Sequence, residues 1–162
     1  MSTIEHVELR TPIAPAAASA GQARAMIRSA LATSGFDGLE DVACLLVTEL
    51  VSNMVRHAPS EAELMVRREG PLLRVGVVDG DLKPPVRLFV SPLASGGRGL
   101  ALVDALSDRW GYDVADDGMG KTVWFELCWR QGSPDGGRHP SWERGAQPVR
   151  TLARSPSRPR PT

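Results

Sequence analysis

Four kinds of residue in this chain have the type and spacing to do chemistry. Glu49, Asn53 and His57 are spaced i, i+4 and i+8 in the stretch Thr48-Glu49-Leu50-Val51-Ser52-Asn53-Met54-Val55-Arg56-His57. On a helix of ~3.6 residues per turn they form one polar line beside the apolar ridge of Val42, Leu46, Leu50 and Met54. Asn53 lies about 60° from the middle of that ridge, where a helix built only to pack places Leu or Ala. Asn is a middling helix former, and a half-buried amide needs polar partners or costs stability. A ligand or metal ion would meet that need; so would solvent at the border of a core.

The second candidate is Asp79. Leu73, Val75 and Val77 alternate along one strand face, and the same period of two carries Asp79 onto that face at the strand's end. A carboxylate is thereby aimed at the core side of the sheet, unless the Asp-Gly pair only bonds its own turn. The third is Gly96-Gly97-Arg98-Gly99-Leu100, which opens a helix after a long aperiodic segment. Glycines at a helix start let the backbone approach an anion closely while its unbonded N–H groups point at it. The fourth is Thr122, just after Gly120 near the start of the last strand and on the face opposite Val123, Phe125 and Leu127.

These residues need elements to hold them. Val7 to Arg10 alternates as a short edge strand, with Thr11-Pro12 expected to stop it. Residues 16 to 33 carry Ala20, Ala23, Ile27, Ala30 and Leu31 at helical spacing, with Gly35 placed to cap the end. Asp37 is placed to cap the second helix, which Pro59 closes because it cannot continue the backbone ladder. Ala62, Leu64 and Val66 give a strand, Glu69-Gly70-Pro71 a turn, and Leu73 to Asp79 another strand. The segment from Gly80 to Gly96, with Pro84, Pro85 and Pro92, is long for a connector and suits a lid or binding element. A helix follows with Leu100, Val103, Leu106 and Trp110 on one side, then strands through Trp110 to Val114 and Lys121 to Trp129. The order implies an α/β (α+β) two-layer sandwich: a mixed, mostly antiparallel sheet covered on one face by about three helices.

Composition bounds the partners. The chain has 162 residues, enough for one domain with a real core, and a formal net charge of zero, so no global field argues for nucleic acid or membrane. Cys44 and Cys128 have neither the density of a disulfide scaffold nor metal-ligand spacing, and read as buried free thiols. No secretory leader pattern and no apolar run near membrane-spanning length occurs, so a cytoplasmic protein is the expectation. A domain over residues 1 to 130 is followed by a tail over residues 131 to 162. That tail is rich in Pro, Gly, Ser and Arg, and its composition predicts disorder. It carries six Arg against Asp135 and Glu143. Nucleic-acid binding through it rests on composition alone and is not the expected function.

Taken in order, Glu49 to Ala58, Asp79, Gly97 to Gly111 and Gly120 to Phe125 resemble the Bergerat-fold ATP-binding family of histidine kinases and Hsp90-like ATPases. Within it they are most similar to the short anti-sigma-factor serine kinases of actinobacteria. The resemblance covers roughly residues 5 to 128 and leaves the tail out. It implies ATP and Mg²⁺ as cofactors. Asn53 would hold the metal through its amide oxygen, Asp79 would accept from the adenine amino group, and Thr122 would sit close to the adenine. Gly97, Arg98, Gly99 and Leu100 would wrap the phosphates, with Arg56 and His57 approaching them one turn past Asn53. Glu49 would be the general base toward a serine hydroxyl or a water. The implied activity is a serine/threonine protein kinase acting on an anti-sigma antagonist protein. A sigma factor is an implied second partner, and a homodimer is compatible with the family. The alternative is an ATP-gated interaction module that transfers no phosphate. It is favoured by Gly80-Asp81-Leu82-Lys83 after Asp79, where many relatives have Asp-x-Gly-x-Gly.

Overall fold

The structure is a computed structural model, and it describes residues 6–32, 36, 38–57, 60–80, 98–115, 118 and 120–129. The segment from 81 to 97 and the tail from 130 to 162 therefore lie outside the described residues, as do Gly35, Asp37 and Pro59. Eight elements follow in order: β1 (His6–Ile13), α1 (Ser19–Leu31), α2 (Leu39–His57), β2 (Ala62–Glu69), β3 (Leu72–Asp79), α3 (Arg98–Leu106), β4 (Arg109–Val114) and β5 (Lys121–Cys128). The strands form one five-stranded sheet in the order β1-β2-β3-β5-β4.

Every pairing in that sheet is antiparallel, where the sequence suggested a mixed but mostly antiparallel one. The reason lies in the connections. β1 reaches β2 through two helices, β2 reaches β3 through the tight Gly70-Pro71 turn, and β4 is followed directly by β5. Gly70 takes φ 55°, a left-handed conformation that an L side chain rarely adopts. β1 also runs three residues further than Thr11-Pro12 was expected to allow, pairing Pro12 with Glu63 and Ile13 with Ala62. It is an edge strand, and an edge tolerates a residue with no N–H to donate. Trp110, which the spacing allowed on the third helix or in the strand after it, belongs to β4, where its indole N–H donates to the Asp104 carboxylate at 2.7 Å.

The two-residue period decides the layers. Leu64 and Val66, Leu73, Val75 and Val77, and Val123, Phe125 and Leu127 all fall on one face and are buried. On that face α1 packs over β1 and β2, α2 over β3 and β5, and α3 against β4, with α2 between its two neighbours. α2 supplies the centre of the core because its apolar positions span more than a third of a turn: Leu39, Ala43, Leu46, Val47, Leu50, Val51 and Met54 are almost wholly buried. Cys44 is buried among them, and burial raises its thiol pKa above the ordinary value. Cys128 is only half-buried, contrary to the expectation of two buried thiols, because it lies near the end of β5 on the other face.

That other face carries no helix among the described residues, yet Trp124 on it is only 3% exposed. Its indole is covered by its own neighbours. The Arg74 guanidinium sits 4.0 Å from the ring centroid, held by Glu126 at 3.1 Å and Asp113 at 3.3 Å. Beside it Gly111 leaves room for the ring, since a Cβ there would lie 3.0 Å from Trp124 Cζ2.

Gly120 is the described glycine with the least room for a side chain. A Cβ there would fall 2.5 Å from the Asp79 carbonyl oxygen, closer than real Cβ contacts occur, and the obstacle is backbone that cannot swing aside. Gly120→Ala is expected to lose about 1–3 kcal/mol of stability by forcing β3 and β5 apart. A lower urea midpoint with an unchanged slope would show it.

Candidate functional site

Asp79 ends β3 on the helix-covered face and is 6% exposed. Burying a carboxylate is costly unless it is paired. The partner is Lys121, which stands directly opposite it in the β3–β5 register and donates from Nζ to Oδ1 at 3.0 Å. Their side chains are 5% and 4% exposed for Lys121 and Asp79 respectively, so this is a buried ion pair. Two features of sequence fix it. Alternation turns both residues inward, and Gly120 lets the start of β5 lie against the end of β3. Sequence reasoning found Asp79 and missed Lys121. The signal was available: Lys121, Val123, Phe125 and Leu127 share one period of two, which puts the lysine on the buried face.

The same register answers where Thr122 goes. It pairs with Val78 on one side and Asp113 on the other, on the face away from the helices. Its methyl lies 3.0 Å from where a Gly76 Cβ would be, beside Trp124. The structure thus places Thr122 and Asp79 on opposite faces of the sheet and sets Lys121 beside Asp79.

Glu49 and Asn53 stand on one flank of α2, both half-buried. The opposite flank is tied to α1: Arg24 donates to the Thr48 hydroxyl at 3.1 Å and Arg28 to Glu40 at 3.1 Å. Glu49, Asn53 and the exposed Arg56 lie about 120–180° around the helix from that edge, on the side where α3 packs. Among the described residues no hydrogen bond or ion pair engages Glu49 or Asn53, and none joins them to Asp79. Glu49 and Asn53 thus lie on the flank of α2 away from its contacts with α1. His57 closes α2, and its side chain lies outside the described residues.

α3 begins at Arg98, so the glycine-rich segment does open a helix. Gly97 lies outside the described residues, and for Arg98, Gly99 and Leu100 only the backbone is described. Its other end is pinned to the sheet: the Asp108 carboxylate accepts from the Cys128 N–H at 2.7 Å, and the Asp108 N–H donates to the Glu126 carbonyl at 2.9 Å.

The chemistry these groups offer is specific. Buried Asp79 is an acceptor for a donor group entering over β3 and β5. Asn53 offers an amide oxygen that no protein group claims among the described residues. Glu49 offers a carboxylate one turn away on the same flank. Among the described residues no cluster of three or more His, Cys, Asp and Glu side chains could hold a metal by itself. A cation held here would share its ligands with a bound molecule, as Mg²⁺ does with phosphates.

The fold is that of an α+β two-layer sandwich with a five-stranded antiparallel sheet and three helices on one face. Among solved structures it is similar to the RsbU and RsbW domains of Rv1364c from Mycobacterium tuberculosis, with a TM-score of 0.56 and 20% sequence identity. The match covers 75% of this chain and 32% of that one, so the chain spans about a third of that protein's crystallised length. At that identity the likeness establishes the fold. No family model and no curated protein matches the sequence. Among the described residues no helix is long and apolar enough to cross a membrane.

Proposed function

We propose that this chain is an ATP-binding regulatory protein, an anti-sigma-factor-type serine/threonine protein kinase. It would phosphorylate an anti-sigma antagonist protein and sequester a sigma factor when the antagonist is absent. The observation that carries this reading is Asp79, a carboxylate buried at the end of a central strand over which α2, the helix of Glu49 and Asn53, packs. A buried acceptor of that kind suits the exocyclic amino group of adenine, and the likeness in fold to the chain of the RsbU and RsbW domains supports an anti-sigma-type regulatory role.

The residues present fit Mg·ATP. Asp79 would hold the base. The half-buried Asn53 amide, without a protein partner among the described residues, would give an oxygen to Mg²⁺. The backbone at the start of α3 would face the phosphates, with Arg56 and His57 beside them. When bound, the nucleotide supplies the phosphoryl group. Glu49 would accept the proton of the attacking serine hydroxyl. Little further covalent chemistry is required, since phosphoryl transfer depends on positioning and charge neutralisation.

Calorimetric titration of the full chain with ATP, with and without Mg²⁺, tests the site. Binding should strengthen with Mg²⁺. Asn53→Ala should remove that gain, weakening Mg·ATP on the order of 10-fold while leaving metal-free binding as it was. If Asn53→Ala binds Mg·ATP like the wild type, the ligand role of Asn53 is wrong. The second reading, an ATP-gated module without transfer, is favoured by Asp81 in the segment after Asp79. It predicts the same titration and no labelled phosphoserine on any antagonist protein.

A further inference from the structure

Glu8, Arg67, Arg74, Glu126 and Arg109 stand in one row across all five strands, each the register partner of the next. The row lies on the face that carries no helix among the described residues. Within one chain it holds an unfavourable neighbour: Arg67 and Arg74 are like charges directly opposite each other, which destabilises a sheet. Beside them the face has a hollow of about 140 Å³, lined by Arg67, Glu69, Leu72, Arg74 and Glu126. The Glu126 side chain is 7% exposed; one of its oxygens accepts from Arg74 at 3.1 Å, and the other lies 3.6 Å from Arg109, too far for a hydrogen bond. A further donor entering the hollow would find acceptor capacity there.

In signs the row reads minus, plus, plus, minus, plus. About its middle strand, β3, it complements its own reverse: Glu8 answers Arg109, and Arg67 answers Glu126. We infer that this face is an interface with a second copy of the chain, packed sheet on sheet about a two-fold axis along β3. That axis sets β1 over the partner's β4 and β2 over the partner's β5. Glu8 then meets the partner's Arg109, Arg67 enters the hollow toward the partner's Glu126, and each pair occurs twice. One row along, Met65 falls toward the partner's Trp124. On the axis β3 offers Leu72, Gly76 and Val78, and Arg74 arrives already neutralised by Glu126 and Asp113 of its own chain. Aligned sheets cross at about 30°, which displaces the outermost pairs by about 5 Å, within the span of an arginine. Five strands ~4.8 Å apart and roughly 25 Å long present about 600 Å² in projection. Side-chain relief brings that near the ~800 Å² per partner of a standard interface. The inference is independent of the nucleotide reading proposed above.

Sedimentation equilibrium of the full chain provides the test. The wild type should dimerise, and less tightly as salt is raised. Glu8→Arg and Arg109→Glu each set like charges together twice per dimer, so each alone should weaken self-association roughly 10- to 100-fold. Mixed in equal amounts, the two variants should pair with each other at close to wild-type strength, because every contact between positions 8 and 109 regains opposite signs. Both residues are exposed on edge strands, so the variants should keep the wild-type urea midpoint. Rescue on mixing separates a direct contact from damage to the fold, since two misfolded chains would not restore each other. A wild type that stays monomeric at every concentration overturns the interface. So do single variants that dimerise like the wild type, and weakened variants that mixing does not rescue.

Discussion

Asp79→Ala is expected to destabilise the fold by about 3–5 kcal/mol, the usual cost of removing one partner of a buried ion pair. No discount for solvent screening applies, because the Lys121 and Asp79 side chains are 5% and 4% exposed. The loss comes from the charge that stays behind: Lys121 keeps its ammonium in the core and loses the carboxylate 3.0 Å away. Because the penalty belongs to the stranded ion, Asp79→Ala combined with Lys121→Met should recover most of it. The two effects will therefore not add, as befits residues in contact. Urea denaturation of the two single variants and the double variant measures this directly. A double variant as unstable as the sum of the singles would mean that the pair is not the source of the loss.

Glu49→Gln should lower phosphoryl transfer by about 10²–10⁴-fold, the usual contribution of a positioned general base, with ATP affinity unchanged. The amide keeps the size and polarity of the carboxylate and removes only its ability to take a proton. Glu49 is half-buried on α2, where it makes no hydrogen bond or ion pair among the described residues, so the change should leave stability alone. Single-turnover transfer from γ-labelled ATP to the antagonist's serine, or to water in its absence, gives the rate. Transfer retained at the wild-type level would remove Glu49 from the chemistry and leave the pocket standing.

How far the sequence could be read depended on which physical constraint governed each element. Period-two and period-3.6 patterns placed every strand and helix, because burial of one face dictates them and the core obeys. They also turned Asp79 inward and put Glu49 and Asn53 on one line. The misses have local causes. The Pro12 stop failed because an edge strand need not donate on its outer side. Trp110 suited either a helix or a strand by spacing, and the short loop after Leu106 decided for the strand. Lys121 was missed because a lysine at a strand start reads as solvated. Only the register opposite Asp79 shows it to be buried, and register is a property of two strands that no single segment states.

The strand order has a consequence in time. β5 is the last of the described strands to be made and slots between β3 and β4, so the Lys121–Asp79 bond joins residues 42 positions apart in the chain. Local contacts close quickly, whereas distant ones must first meet the entropy of the loop between them. On a ribosome, the helices, β1, β2 and β3 are complete before Lys121 has been synthesised. Until β5 inserts, β3 is an open sheet edge and Asp79 has no ammonium beside it. The buried ion pair thus arrives with the last described strand, and a nascent chain stopped short of it carries the helix with Glu49 and Asn53 but not yet the Lys121 that bonds Asp79.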